Sequence, residues 1–202
     1  MNTILNLSGG IDSVYVAYKW LSEHPKEKLL IHHCSLRTYE YRWEKEDEAV
    51  KNVLEWLDNH GLTNYEYVET TLDVAEVHPH LWDSSMIAFM TGAVLTNPKY
   101  KNIKNVLSNT PKDEYSRLGH SLYNRINKAD AIKYAVLKKK LTPIHMLKSV
   151  RKEQIIELIP PDLLELCWYC RRPTENGGTC HQCHTCRQVD EAQEKRNKKI
   201  KR

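Results

Sequence analysis

No stretch of the chain approaches the roughly 18 consecutive apolar residues that a membrane-spanning helix needs. The start lacks a basic patch running into an apolar segment and a small-residue cleavage site, so a cytoplasmic protein is expected. No glycine turn ends in Gly-Lys-Ser/Thr and none has the spacing Gly-x-Gly-x-x-Gly. Those two absences exclude the phosphate loop of γ-phosphoryl transfer and the dinucleotide-binding turn. There is no internal repeat and no low-complexity linker, which excludes a repeat array. With 202 residues, 41% of them hydrophobic and 28% charged, the chain suffices for one buried core but is short for two.

The charge balance is also lopsided. Six basic residues and no acid occupy positions 195 to 202, and the +4 of the whole chain becomes −2 once those six are set aside. The body is therefore not a basic, nucleic-acid-seeking surface, and the end reads as a solvated, disordered tail. Nucleic acid is not expected as a partner.

What is present is concentrated at the two ends. Ile4-Leu5-Asn6-Leu7 reads as a short buried strand, Ser8-Gly9-Gly10 as a turn, and Ser13 as the opening of an amphipathic helix on Val14, Ala17, Tyr18 and Leu21. Glycines there let the backbone approach a ligand, and a helix start offers free N–H groups and a positive dipole end. Ser8, Gly9, Gly10 and Ser13 are thus candidate phosphate donors. Asp12, an acid in an anion site, suits a magnesium ligand or a helix-capping aspartate.

Between the ends, strands and helices alternate. Further strands are expected at 28–34, 65–70 and 103–107, with Thr142-Pro143-Ile144 either an edge strand or an extended connector. Helices are expected on Val50, Val53, Leu54 and Leu57 up to Gly61, on Ile87, Met90 and Val94 after Trp82-Asp83-Ser84, along 122–136, and from a Ser149 cap through Ile159 to Pro160-Pro161. Residues 109–120 read as a polar loop at the functional end of the fourth strand. This is an α/β pattern: a parallel sheet flanked by helices in a single domain over 1–202. Within it, 1–160 forms the core, 161–190 a cysteine segment and 191–202 the basic tail.

Of six cysteines, only Cys34 stands outside 167–186. Cys170, Cys180, Cys183 and Cys186 offer four soft ligands, three on a Cys-x2-Cys-x2-Cys run, and Gly177-Gly178 turns the first back toward them. Such a closed set suits tetrahedral zinc. Cys167 is the alternative first ligand, and an iron–sulfur cluster the alternative occupant. His181 and His184 lie within the run but are surplus to it. Cys34, on a strand, reads as a packing residue.

Ser8-Gly9-Gly10-Ile11-Asp12-Ser13 resembles, position for position, the Ser-Gly-Gly-x-Asp-Ser signature of the ATP pyrophosphatases, which cleave ATP between its α and β phosphates. The resemblance implies the adenine nucleotide alpha hydrolase-like fold, with ATP and Mg2+ as cofactors beside Zn2+. The loop at one end and four cysteines at the other are together similar to the 7-cyano-7-deazaguanine synthases. Thr142-Pro143-Ile144, Lys152-Glu153 and Arg42-Trp43 with Glu44 and Glu46 add to that likeness. The chain departs from the family at Trp82-Asp83, where an arginine-asparagine pair is usual, and at Asp113-Glu114-Tyr115-Ser116-Arg117, in place of Tyr-Pro-Asp-Cys-Arg.

The resemblance implies adenylation of 7-carboxy-7-deazaguanine and its conversion by ammonia to an amide and then a nitrile. It is compatible with a homodimer. Arg42 and Lys152 are then candidates to pair with phosphate or substrate carboxylate, though each also fits an exposed helix position. Asp113 is the candidate to read the base's N–H edge, or else makes a turn. Two other readings stay open: another enzyme of the ATP pyrophosphatase group acting on a tRNA base or a small carboxylate, and a nucleotide-binding module without turnover.

Overall fold

The computed structural model describes residues 1–76, 83–113 and 141–200. Five strands form one sheet in the order β3-β2-β1-β4-β5, every neighbouring pair parallel. They are β1 (Thr3–Asn6), β2 (Leu29–Arg37), β3 (Tyr65–Asp73), β4 (Asn105–Ser108) and β5 (Thr142–His145). The helices are α1 (Ile11–Glu23), α2 (Trp43–Asn59), α3 (Asp83–Leu95), α4 (Lys152–Leu158), α5 (Pro161–Glu165) and α6 (His184–Ile200). None among the described residues is long and apolar enough to cross a membrane.

The period-2 alternation of strand side chains divides the core between the two faces. Leu5, Leu29, Ile31 and Leu107 join one cluster with Val14 and Ala17 of α1, Val53 and Leu57 of α2, and Ile155 and Ile156 of α4. Ile4, Leu30 and Val106 point the other way, to Leu95 of α3, Tyr100 and Ile103. Both faces of the central strands are therefore dry. That is why β2 is buried from Leu29 to Leu36, its polar residues included.

Register places Leu5 between Ile31 and Leu107. From β1 the chain proceeds outward through β2 and β3, then returns to place β4 on the other side of β1. The loops after β1 and β4 consequently leave the sheet in opposite directions. The crevice this opens at their C-terminal ends is where ligands bind in such sheets.

The structure shifts several expected boundaries. Helix α1 begins at Ile11, so Ser13 sits inside its first turn rather than opening it. Strands β2 and β3 outrun their expected ends because they pair with each other as far as Arg37 and Asp73. Ser149 does not cap α4. The cap is Arg151, whose N–H goes to Gln154, and the Lys152 N–H is taken by Asp113 at 3.2 Å. Thr142–His145 is a strand, and an edge one, which is where Pro143 is tolerated. The basic end is not a loose tail: α6 carries it to Ile200 across the boundary drawn at 191, with Arg196 donating to the Ile156 carbonyl at 2.8 Å and Lys195 paired with Glu153 at 3.1 Å. Val189 and Ala192 bury that helix in the main core. The expected helix along 122–136 and the loop beyond 113 lie outside the described residues, as does Trp82.

Candidate functional site

The turn after β1 is built on hydroxyl bonds. Ser13 Oγ donates to the Gly10 carbonyl at 3.0 Å and accepts the Ser8 N–H at 3.1 Å. With its one proton thus committed, the 3.1 Å contact between the two hydroxyls is a donation from Ser8 Oγ. Ser8 Oγ also receives the Gly10 N–H at 3.4 Å, and exchanging its bond to Ser13 would turn its proton toward an incoming anion. Gly10 caps α1 without a side-chain bond, leaving the first-turn amides for a ligand.

Gly9 is held at φ +75°, and a Cβ there would stand 2.9 Å from the Glu46 carbonyl oxygen and 3.0 Å from Ala49 Cβ. The turn thus lies against the backbone of α2. Its carbonyl accepts the Trp168 N–H at 2.9 Å. A peptide unit is planar and trans, so fixing the Gly9 carbonyl turns the Gly10 N–H to the opposite side, into the turn.

Asp12 lies in the first turn of α1 and pairs with Lys152 of α4 at 2.5 Å. Burial nevertheless raises the Asp12 carboxyl above the ordinary range, against the lowering by Lys152, and nearby Asp113 adds to the rise. Its second oxygen, Oδ1, is buried without a hydrogen-bond partner among the described residues. That orphaned oxygen beside free helix amides has the chemistry of a magnesium-binding acid. Asp113 does not line the cavity described next; its contact there is the α4 amide.

A cavity of about 430 Å³ opens at the crevice, within the size range of small-molecule sites. Ser8 and Asp12 line it from β1 and α1, His32, His33 and Cys34 from β2, and Ser108 and Asn109 from the end of β4. Arg42, Glu46, Asp83 and Arg171 supply its charge. Arg42 is surrounded by carboxylates: Glu40 at 2.6 Å, Glu46 at 2.9 Å and Asp83 at 2.8 Å. Burial lowers its pKa, but the three acids outweigh that and hold the guanidinium above its usual value. Burial raises Glu46, which Arg42 opposes.

The polar residues of β2 are tied down one by one. His33 contacts the Leu7 carbonyl and Asp47 Oδ1, both at 2.8 Å, and Ser35 donates to the other Asp47 oxygen at 2.8 Å. His32 bridges Asn6 at 3.1 Å and Thr70 at 2.8 Å, while Thr91 donates to Asn6 at 2.8 Å. Burial pushes the Cys34 thiol up, away from a reactive thiolate. None of these partners was visible in the sequence, because each lies on another element; only the spacing of Arg42, which caps α2, and Glu46 within it signals a local pair.

At the other end, Sγ atoms of Cys170, Cys180, Cys183 and Cys186 lie within 4.8 Å of one another. Tetrahedral zinc with Zn–S bonds of about 2.3 Å requires sulfurs about 3.8 Å apart, and the Cys180–Cys186 separation is 3.9 Å. Backbone N–H groups also aim at the sulfurs, from Arg172 and Cys180 onto Cys170 at 3.4 and 3.3 Å, and from Gln182 and Cys183 onto Cys180 at 3.4 and 3.2 Å. Those on Cys180 bring its thiol down to about 6. The set can form a zinc knot. Cys167 sits apart, bonded to the Leu163 carbonyl, its thiol raised to about 12 by burial. His181 is exposed and faces Asp190 at 3.0 Å. Metal analysis of purified protein is expected to find about one zinc per chain in Cys167→Ser and little or none in Cys186→Ser; zinc retained by the second variant would break the four-cysteine assignment.

No family model matches the chain, and no curated protein matches it. Among solved structures, it aligns with NMN synthetase from Francisella tularensis over 96% of its own length and 77% of that chain, with a TM-score of 0.51 and 14% identity. The fold is adenine nucleotide alpha hydrolase-like. At that identity the likeness is one of fold, and the adenine nucleotide alpha hydrolase-like sheet places the Ser8–Ser13 turn at its central crevice.

Proposed function

We propose that this protein is an ATP-dependent ligase that adenylates a carboxylate and passes it to ammonia. The observation that supports the reading best is the Ser8–Ser13 turn, with its hydroxyl relay and uncapped helix start beside the orphaned Asp12 oxygen. The finer reading takes 7-carboxy-7-deazaguanine as substrate and 7-cyano-7-deazaguanine as product.

In that reading the substrate carboxylate attacks the α-phosphorus of ATP, forming an acyl phosphate anhydride as the bond to pyrophosphate breaks. The departing pyrophosphate is received by the Ser8 hydroxyl, the Gly10 N–H and the amides of α1. Magnesium, where bound, would be held by Asp12 and supply charge neutralisation of the phosphates. Ammonia then displaces AMP and leaves the amide. A second ATP adenylates the amide oxygen, and loss of AMP and a proton gives the nitrile. Lys152 keeps Asp12 oriented and opposes the rise that burial imposes on its carboxyl. Arg42, committed to three acids, sets the positions of Glu46 and Asp83 rather than meeting substrate. The zinc knot has no chemical step; it holds residues 168–171 against the turn.

The test is release of pyrophosphate and AMP from ATP with magnesium and ammonium, with and without 7-carboxy-7-deazaguanine, followed by mass spectrometry. Equal amounts of pyrophosphate and AMP, two of each per nitrile, are expected only when the substrate is present. ATP binding with no substrate-dependent pyrophosphate would remove the deazaguanine assignment, and no binding at all would remove the nucleotide assignment.

A further inference from the structure

The geometry points to Arg171 as the side chain that binds the phosphate chain of the nucleotide, delivered to the cavity by the cysteine knot. This rests on the nucleotide reading of the Ser8–Ser13 turn. A polyphosphate needs cations as well as amides, and two arginines line the cavity. Arg42 is already neutralised by Glu40, Glu46 and Asp83. Arg171 makes no ion pair with a carboxylate among the described residues. It is close enough to lower Glu46 electrostatically, but Glu46 is bonded to Arg42 instead.

The backbone that carries Arg171 is fixed before and after it. Before it, Cys170 belongs to the four-sulfur set, the Arg171 N–H bonds to Cys183, and the Trp168 N–H is bonded to the Gly9 carbonyl, in the very turn that would receive phosphate. After it, the Arg172 N–H bonds to Cys170 at 3.4 Å. An exposed arginine on a free loop would lose much of its binding free energy to ordering; here only the side chain remains to be ordered. Arg171 thus shares the cavity wall with Ser8 and Asp12, and its guanidinium has donors to spare. Arg172 is the natural control: it is adjacent, of the same charge and exposed like Arg171, but absent from the cavity wall.

The experiment is calorimetric titration of magnesium–ATP and of adenosine into the zinc-loaded protein, for the wild type, Arg171→Ala, Arg171→Gln, Arg171→Lys and Arg172→Ala, with zinc content measured on each. Arg171→Ala and Arg171→Gln should bind ATP roughly ten- to a hundred-fold more weakly. Arg171→Lys should recover part of the loss, and Arg172→Ala should bind as wild type. Adenosine affinity and zinc content should not change. Three results would overturn the assignment: undiminished ATP binding by zinc-replete Arg171→Ala, an equal loss in Arg172→Ala, or an equal loss for adenosine. A wild type that holds zinc but binds no ATP would overturn the nucleotide reading as well, which separates the two failures.

Discussion

Lys152→Met is expected to abolish pyrophosphate release and to lower folding stability by about 3–5 kcal/mol, as removal of one partner from a buried ion pair does. The Lys152 side chain is only 7% exposed and that of Asp12 19%, so neither charge is relieved by water when the other goes. The variant leaves Asp12 facing Asp113 without its cation, and the carboxyl, already raised by burial, rises further. An acid whose folded pKa is raised destabilises the fold once it ionises. The deficit of Lys152→Met should therefore shrink as pH falls through the raised Asp12 value and be largest above it. Urea unfolding midpoints at pH 5 and pH 8 measure this. The double variant Asp12→Asn/Lys152→Met should regain most of the stability and none of the turnover. If it is as unstable as the single variant, the loss came from Lys152 packing and not from the stranded charge.

Gly9→Ala should be the second severe change, and Gly61→Ala is its internal comparison. Both glycines hold nearly the same positive φ, +75° and +74°. At Gly61 nothing lies within 4 Å of the added carbon, so the cost is the backbone conformation alone, about 1–2 kcal/mol. At Gly9 the new carbon meets the Glu46 carbonyl at 2.9 Å and Ala49 at 3.0 Å, and α2 must move away. Overpacking of that kind adds about 1–3 kcal/mol. More telling than stability is affinity: displacing α2 disturbs Arg42, Glu46 and the turn together, so ATP binding should fall below detection in Gly9→Ala and stay unchanged in Gly61→Ala. Equal ATP affinity in the two would show that the turn does not depend on its contact with α2.

The residues that made the site legible in advance are those whose meaning is local. Ile4 to Ser13 announce a strand, a turn and a helix start within ten positions, and Cys180, Cys183 and Cys186 announce a ligand set by spacing alone. The parallel sheet follows from alternation of strands and helices. What stayed hidden depends on partners distant in sequence. His32, His33 and Ser35 look like the polar end of a strand, yet they sit in its buried middle because Asn6, Thr70 and Asp47 satisfy them. Arg42 looks available for a ligand until Asp83 arrives from α3. Ser149 has the right chemistry to cap a helix, but Asp113 comes from the other side of the sheet crossover to take the Lys152 amide. The basic run after residue 194 looks solvated because its anchors, Glu153 and the Ile156 carbonyl, belong to α4.

The bond from Trp168 to Gly9 also bears on the order of events during synthesis. When β5 has left the ribosome, every strand among the described residues exists, and so does the turn after β1. The wall that carries Trp168 and Arg171 does not, and its set of four cysteines is completed only at Cys186. A nascent chain can therefore assemble a nearly whole sheet while its cavity still gapes on one side. Closure of the cavity thus waits for the cysteine segment, and if the four sulfurs take up a metal, competence depends on that uptake as well as on folding of the sheet.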